Sequence, residues 1–226
     1  GGGGKYRMNL GWVSCVAYSG PALSVARDGR RRRLNNRVCW IAASQVETSR
    51  GGSVQLRQAT SVDMPWVAQA VRSEGMNPLF LESTGFLMAE VASEGVGEGD
   101  GQFSSNIPLS RAVVGCGQIR GPKEARELAS LYVVPSFRGR GIGSDLVRAL
   151  VERERQHCFT EARDMRLTLV CLSVTQAFYK RLGFTRVEDL SSLPLLQRVE
   201  VVLGNVYARF FVDNAEVISM ELISKV

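Results

Sequence analysis

The chain has 226 residues, of which 45% are hydrophobic and 22% are charged, so it is long enough for one domain with a sizeable core. No apolar run approaches the roughly 20 residues needed to cross a bilayer. One histidine and five cysteines without a CxxC pair argue against a zinc site, and we interpret the cysteines as free thiols of a reducing compartment.

Charge divides the sequence at about residue 50. Residues 1–50 hold nine Lys and Arg against two Asp and Glu, whereas the remainder holds 19 against 20. The basic, Ser- and Ala-containing stretch is typical of an organellar transit peptide, with a plastid favoured over a mitochondrion. The run Arg30–Arg33 leaves two alternatives, a nuclear-import or nucleic-acid-binding patch and a disordered basic tail. Because the sequence opens on Gly1 without a methionine, we expect a fragment of a longer precursor.

Residues 51–226 are predicted to form the folded domain, and their hydrophobic patterns alternate between strand and helix. The first half is predicted as strand 53–58, helix 62–72, loop 73–81, strand 86–91, a mobile Gly-rich hairpin loop at 93–106, and strand 112–119. The second half is predicted as strand 128–134, helix 142–158, strand 166–171, helix 175–182, strand 184–187, an amphipathic helix at 193–211 interrupted at Gly204, and strand 216–222. This order predicts a mixed α/β sandwich.

The stretch 128–144 is the most informative part of the chain. A buried strand leads through Pro135 into the basic loop Arg138-Gly-Arg-Gly-Ile-Gly143 and then into a helix. Backbone N–H groups at a helix start bind phosphate, and the helix dipole assists them. The loop lacks the Gly-Lys-Ser/Thr ending of a Walker loop, and Leu146 stands where the dinucleotide fingerprint needs its last glycine. The loop therefore indicates a pyrophosphate cradle of another kind.

Two motifs resemble those of the GNAT superfamily of N-acetyltransferases. The run Leu131-Tyr-Val-Val-Pro-Ser-Phe-Arg-Gly-Arg-Gly-Ile-Gly143 resembles the family's acetyl-CoA motif, with its Arg/Gln-x-x-Gly-x-Gly/Ala core. The run Thr175–Phe184 resembles the family's Phe-Tyr-x-x-x-Gly-Phe element at the usual spacing, although Leu172 stands where many members carry Asn. The resemblance covers about residues 53–222. It implies the GNAT α/β fold, a mostly antiparallel mixed sheet of about seven strands, flanked by helices and splayed between strands four and five.

The resemblance also implies acetyl-CoA as co-substrate and no metal. Backbone N–H groups would bind the pyrophosphate, with charge added by two arginines, of which Arg140 has a solvated loop cation as its alternative. Backbone of the strand before the loop would pair with the pantetheine arm, and one of its N–H groups would polarise the acetyl carbonyl. The residues implied are Leu131, Tyr132 and Val133 for the arm, and Arg138, Gly139, Arg140, Gly141, Ile142, Gly143 and Ser144 for the pyrophosphate.

Two side chains are candidates for the proton transfers. By resemblance, Tyr179 is the general acid for the leaving thiolate, since a phenol with a pKa of ~10 stays protonated at neutral pH. Its alternative is an aromatic ring packed on the sheet. Glu127 lies eleven residues before Arg138, the spacing of the catalytic glutamate in the histone-acetyltransferase branch, and it is the candidate base. Its alternative is a surface acid, and Glu90 is a weaker candidate.

We expect the acceptor amine to be recognised by the first helices, by loops 73–82 and 93–106, and by segment 190–215. Resemblance and the transit-like segment together suggest transfer to N-terminal α-amines and lysine ε-amines of plastid proteins. The first alternative is a small-amine acetyltransferase acting on an arylalkylamine, polyamine or amino acid. The second is a non-catalytic acyl-CoA-binding module. Protein or peptide partners are expected, without membrane association, and nucleic-acid binding only if the basic segment is retained.

Overall fold

A computed structural model of the chain describes residues 44–47, 53–92, 111–211 and 216–225, and the side chains of these except for 44–47, 53 and 206–211. Most of the predicted transit segment and the predicted loop 93–106 lie outside the described residues. The described strands form one mixed sheet in the order β1-β2-β3-β4-β5-β6-β8-β7. The strands are β1 Ser44–Glu47, β2 Ser53–Gln58, β3 Phe86–Ala92, β4 Arg111–Arg120, β5 Arg126–Val133, β6 Met165–Leu172, β7 Thr185–Arg186 and β8 Val217–Ser224.

Helices cover both faces of this sheet. They are α1 Met64–Ser73, α2 Ile142–Thr160, α3 Gln176–Arg181 and α4 Leu195–Phe211. On one face, α2 buries Ile142, Leu146 and Leu150 at helical spacing against β3, β4 and β5. On the other face, α1 packs through Val67 and Val71, and α4 packs against β6 and β8. No described helix is long and apolar enough to cross a membrane.

The predicted fold is confirmed, including the position of the splay. The predicted fourth and fifth strands are β5 and β6, and they pair in parallel only at Arg126 with Leu167 and at Glu127 with Thr168. Every other ladder is antiparallel. Beyond Glu127 the described β5 and β6 diverge, which leaves a gap in the middle of the sheet.

Two details differ from the expectations. An eighth strand, Ser44–Glu47, pairs antiparallel with β2, so the sheet begins several residues before the predicted boundary at 51. The predicted interruption at Gly204 is wrong, because α4 runs through it. A Cβ atom built at Gly204 would stand 3.0 Å from Val217 Cγ2, so this glycine lets the helix pack closely on β8.

A bulge in β5 lies next to the splay. Gln118 pairs with Ala129 and Cys116 with Tyr132, so Ser130 and Leu131 together face the single residue Gly117. Ser130 has a φ of 52°, and its hydroxyl accepts a 3.0 Å hydrogen bond from Gln118 Nε2. The bulge changes the direction of β5 just before the predicted pantetheine segment.

Candidate active site

The predicted cradle is an open helix start. Gly141 precedes α2 with a φ of 93°, a left-handed conformation that favours glycine, and no side chain caps the helix. The first-turn N–H groups of a helix have no intrahelical partner. Gly139 also has a positive φ, and a Cβ built there would meet no atom within 4 Å. The loop therefore leaves space and backbone donors for an anion, as a pyrophosphate requires.

Two of the implied cradle residues line its base. Ile142 is buried against the sheet, and Gly143 lies close to both Phe178 of α3 and Val133 of β5. Ser144 is half-buried in the first turn of α2. Asp145, in the same turn, is an anion close to the cradle, but burial raises its pKa and Arg148 donates to its Oδ1 at 3.0 Å. The ion pair with Arg148 partly offsets the repulsion that a bound phosphate would meet.

The two arginines of the loop have different environments. Arg138 donates from Nε to the Val133 carbonyl at 2.8 Å and pairs through Nη2 with Glu74 at 2.7 Å. It therefore ties the end of β5 to the end of α1. Arg140 is exposed, with its guanidinium 4.9 Å from the Phe137 ring centroid. Arg140 is the better placed of the two to meet a phosphate.

The segment predicted to receive the pantetheine arm forms the end of β5. Leu131 is buried in the core, while Tyr132 and Val133 are half-buried. The Tyr132 ring packs edge-on against Trp66 at 5.8 Å, and burial raises its pKa. The β5–β6 ladder ends before these three residues, so the splay exposes one backbone edge of this segment. An arm that pairs like an added strand fits this edge.

Tyr179 lies inside the core on the α2 face of the sheet. Its side chain is fully buried and packs edge-on against Phe178, at 4.8 Å between ring centroids, and Phe184, at 5.9 Å. Leu131 and Leu169, from the two diverging strands, belong to the same cluster. Tyr179 thus shares its core cluster with both diverging strands, and a protonated phenol in this cluster could serve as an acid for a group entering the gap.

Glu127 lies on the other face of the sheet and is nearly completely buried. Arg120 donates from Nε to Glu127 Oε2 at 2.9 Å and from Nη2 to Glu200 Oε1 at 3.3 Å. Asn77 donates to the same Glu200 oxygen at 2.5 Å. Glu127 is therefore not a surface acid, which was the alternative interpretation. It belongs to a buried polar network that joins β4, β5 and α4. Glu90 is engaged elsewhere, by Arg57 at 2.7 Å.

A cleft of about 600 Å³ opens beside this network. One wall is the α1–β3 loop, with Phe80 and Glu82, and the other is the start of α4, with Leu196 and Gln197. Glu127 and Arg120 lie between them. Two of the segments expected to recognise the acceptor amine, 73–82 and 190–215, thus meet beside Glu127, the predicted base. A second, open surface pocket between α3 and β7 is lined by Gln176, Lys180, Gly183 and Phe184 of the second motif, but by neither Tyr179 nor a residue of the loop.

Three residues of this site were not predicted from the sequence. Gln118 and Arg120 point from β4 toward the cleft, and neither belongs to a motif. Gln197 is buried and donates from Nε2 to Thr168 Oγ1 at 2.7 Å. Polar residues at strand positions whose neighbours are apolar were the one available signal. In the ranges described, no group of three or more His, Cys, Asp or Glu residues could hold a metal ion.

Comparison with known proteins matches part of the chain to a family model. Residues 105–186 match the model described as "Acetyltransferase (GNAT) domain", a range that holds the loop, the splay and Tyr179. No curated protein sequence matches the chain.

Several solved structures have related folds. Rv2747 from Mycobacterium tuberculosis, in complex with CoA and NLQ, is 19% identical with a TM-score of 0.48, over 75% of this chain and 98% of that one. N-acetylglutamate synthase from Neisseria gonorrhoeae, complexed with coenzyme A and N-acetyl-glutamate, is 20% identical with a TM-score of 0.47. The match covers 75% of this chain but 35% of that one. The ribosomal-protein-S18-alanine N-acetyltransferase from Escherichia coli is 12% identical with a TM-score of 0.43. The match covers 76% of this chain and 95% of that one. Similarities at this level do not extend to function.

The cradle, the splayed strands and the buried tyrosine all lie on or beside the matched segment. Residues 105–186 of the chain are therefore similar to an acetyltransferase domain of the GNAT type.

Proposed function

We propose that the protein transfers acetyl from acetyl-CoA to N-terminal α-amines and lysine ε-amines of proteins. The observation that carries this proposal is the cleft beside Glu127, on the sheet face opposite Tyr179. A thioester held in the splay could be reached from one face by an amine and from the other by an acid. The cleft opens to solvent, as a polypeptide acceptor needs.

The residues divide the chemistry between them. The α2 start and Arg140 would hold the pyrophosphate, and the free edge of β5 would hold the pantetheine arm. A bound acetyl-CoA supplies the activated acetyl group. Glu127 accepts the proton of the amine, directly or through a water, with its orientation set by Arg120, and Tyr179 protonates the leaving thiolate.

Acetyl transfer to defined acceptors tests the proposal. Release of free CoA by the full chain is followed with a peptide whose N-terminus alone is free, a peptide with one free lysine, and three small amines: phenylethylamine, spermidine and glutamate. We expect a higher kcat/KM for at least one peptide than for every small amine. Preference for a small amine would favour the first alternative, and acetyl-CoA binding without turnover would favour the non-catalytic module.

The plastid remains the proposed location, supported by the composition of residues 1–50. A fluorescent fusion of the complete precursor should enter plastids, and mass spectrometry should find a mature N-terminus that has lost Arg30–Arg33. Nuclear accumulation with an intact arginine run would contradict both expectations.

A further inference from the structure

Helix α4 presents its apolar side to solvent. Five large aliphatic residues recur at helical spacing and are between 39% and 69% exposed. The opposite side buries Gln197, Glu200, Val201 and Gly204. A surface helix ordinarily turns its apolar stripe to the core, so this orientation needs a cause. The exposed residues are Leu195, Leu196, Val199, Val202 and Leu203.

Specific polar bonds hold the helix in this orientation. Glu200 receives hydrogen bonds from Asn77 and Arg120, and Gln197 donates to Thr168. Asn205 bonds both the N–H and the carbonyl of Val217, each at 2.8 Å. Rotation of α4 would break these bonds and leave buried polar groups without partners, which costs about 1–3 kcal/mol for each group. The apolar side is thus kept outward by the same network that orients Glu127.

The exposed stripe continues across the mouth of the cleft. Phe80 is 59% exposed and lines the cleft together with Leu196. The neighbouring Leu79, itself half-exposed, accepts a 3.0 Å hydrogen bond from Arg120 through its carbonyl, so this loop is tied to the network under α4. We call Leu79, Phe80 and the five α4 residues the apolar shelf. Large apolar residues that are exposed together in this way mark an interaction site.

Polar groups at the shelf suit an acceptor rich in N–H groups. Gln197 Oε1 is buried and accepts no hydrogen bond from the described residues, although Gln197 lines the cleft. Its amide orientation is set by Thr168, whose hydroxyl donates to the Arg126 carbonyl and so accepts from Nε2. Glu82 adds an exposed carboxylate that forms no ion pair within the described part of the chain.

We infer that the acceptor is a polypeptide whose amine is flanked by apolar residues, and that these residues lie on the apolar shelf. The inference rests on the proposed function and adds the chemistry of the substrate. Continuity of the shelf with the cleft favours this occupant over a second copy of the chain, because covering the shelf with another subunit would also close the cleft mouth. Apolar contacts of the acceptor would increase kcat/KM by about tenfold for each well-buried side chain.

Two peptides that differ only beside the amine test the inference. Both begin with Ala and carry no lysine; one continues with Leu and Phe and the other with Ser and Asp. With the full-length protein we expect kcat/KM at least tenfold higher for the first. The double variant Val199→Ser, Val202→Ser should bring the ratio of the two values close to one. Val62→Ser and Ile223→Ser, which alter exposed residues outside the shelf, should leave the ratio unchanged.

The outcomes separate the two proposals. Equal kcat/KM for both peptides in the unaltered protein would overturn this inference and leave the proposed function standing. Turnover of small amines alone would overturn both. Sedimentation velocity could instead show a dimer that Leu195→Asp dissociates, while the two peptides have equal kcat/KM. This result would assign the shelf to a second copy of the chain and overturn the inference.

Discussion

Tyr179 and Glu127 approach the splay from opposite faces of the sheet. Alternate residues of a strand point to opposite faces, and β6 shows both directions: Leu169 packs in the cluster of Tyr179, while Thr168 bonds Gln197 on the side of Glu127. A reacting carbonyl between the strands could therefore contact the proton donor Tyr179 from one face and the proton acceptor Glu127 from the other. Because the sheet separates these two side chains, Tyr179 does not transfer its proton directly to Glu127. The two roles can be tested separately.

Tyr179→Phe removes one oxygen atom from a fully buried ring and keeps the edge-on contacts with Phe178 and Phe184. Without a proton donor for the thiolate, kcat should fall by about 10²-fold, the lower end of the usual contribution of an acid, with little change in the Kd of acetyl-CoA. Steady-state kinetics and calorimetric titration with acetyl-CoA measure the two quantities. An unchanged kcat would refute the acid role.

Glu127→Gln keeps the size of the side chain but removes its ability to accept the amine's proton. The acidic limb of the pH profile of kcat/KM, which reports the free enzyme's base, should disappear, with a loss of at least tenfold at neutral pH. Glu200→Gln is the matched control, since Glu200 is a buried carboxylate on the same Arg120 but does not line the cleft. If both variants change the profile alike, Glu127 acts only through the network.

At the scale of elements, the loop and the start of α2 act as one unit. Gly141 adopts its left-handed conformation where the chain enters the helix, and Gly139 turns the loop outward. Gly141→Glu would place a side chain and a negative charge at the open N–H groups. We expect the Kd of acetyl-CoA to rise by at least 10²-fold, because the carboxylate occupies the site of the phosphates and repels them.

Gly141→Ala separates this effect from backbone strain. Both variants carry a Cβ in a left-handed conformation, which costs about 1 kcal/mol in stability, but only Glu adds charge and length. Titration of the two proteins with acetyl-CoA, alongside thermal melts, compares them. Retained tight binding in Gly141→Glu would contradict the placement of the cradle.

At the scale of the whole molecule, an ionic cluster joins α2 to the sheet and to the segment before β6. Glu154 is buried and accepts hydrogen bonds from Arg126 of β5 and from Arg163. Burial opposes ionisation of Glu154, but the two guanidinium groups outweigh it, and the pKa of Glu154 is lowered. A lowered pKa means that the ionised carboxylate stabilises the fold above the ordinary glutamate pKa, and that this contribution is lost as pH falls through the folded value.

Glu154→Gln should therefore reduce the free energy of unfolding by about 1–3 kcal/mol at pH 7, and by much less at pH 3. Urea denaturation at the two pH values measures the difference. The control is Glu152→Gln on the same helix, which removes an exposed pair with Arg155 and should change stability by less than about 0.5 kcal/mol. An equal loss at both pH values in Glu154→Gln would show that charge is not the cause.

Much of this architecture was predictable because it depends on local patterns. The alternation in strands and the spacing of Ile142, Leu146 and Leu150 gave the order of elements and the face of α2 that packs on the sheet. The edge strand Ser44–Glu47 was missed because its four residues lie in the segment interpreted as a transit peptide. The break expected at Gly204 followed from glycine's low helix propensity, which tertiary packing against Val217 overrides.

The sequence by itself determined the phosphate loop, the tyrosine motif and the glutamate at fixed spacing, since each is a run of a few residues with a local conformation. Only the tertiary structure decided that Arg120 and Glu200 bury that glutamate, that Arg138 is bound to Glu74, and that α4 turns its apolar side outward. These contacts join residues from 7 to 80 positions apart, so no local pattern reports them. They arise because buried charges must find partners, and those partners set the orientation of the helix.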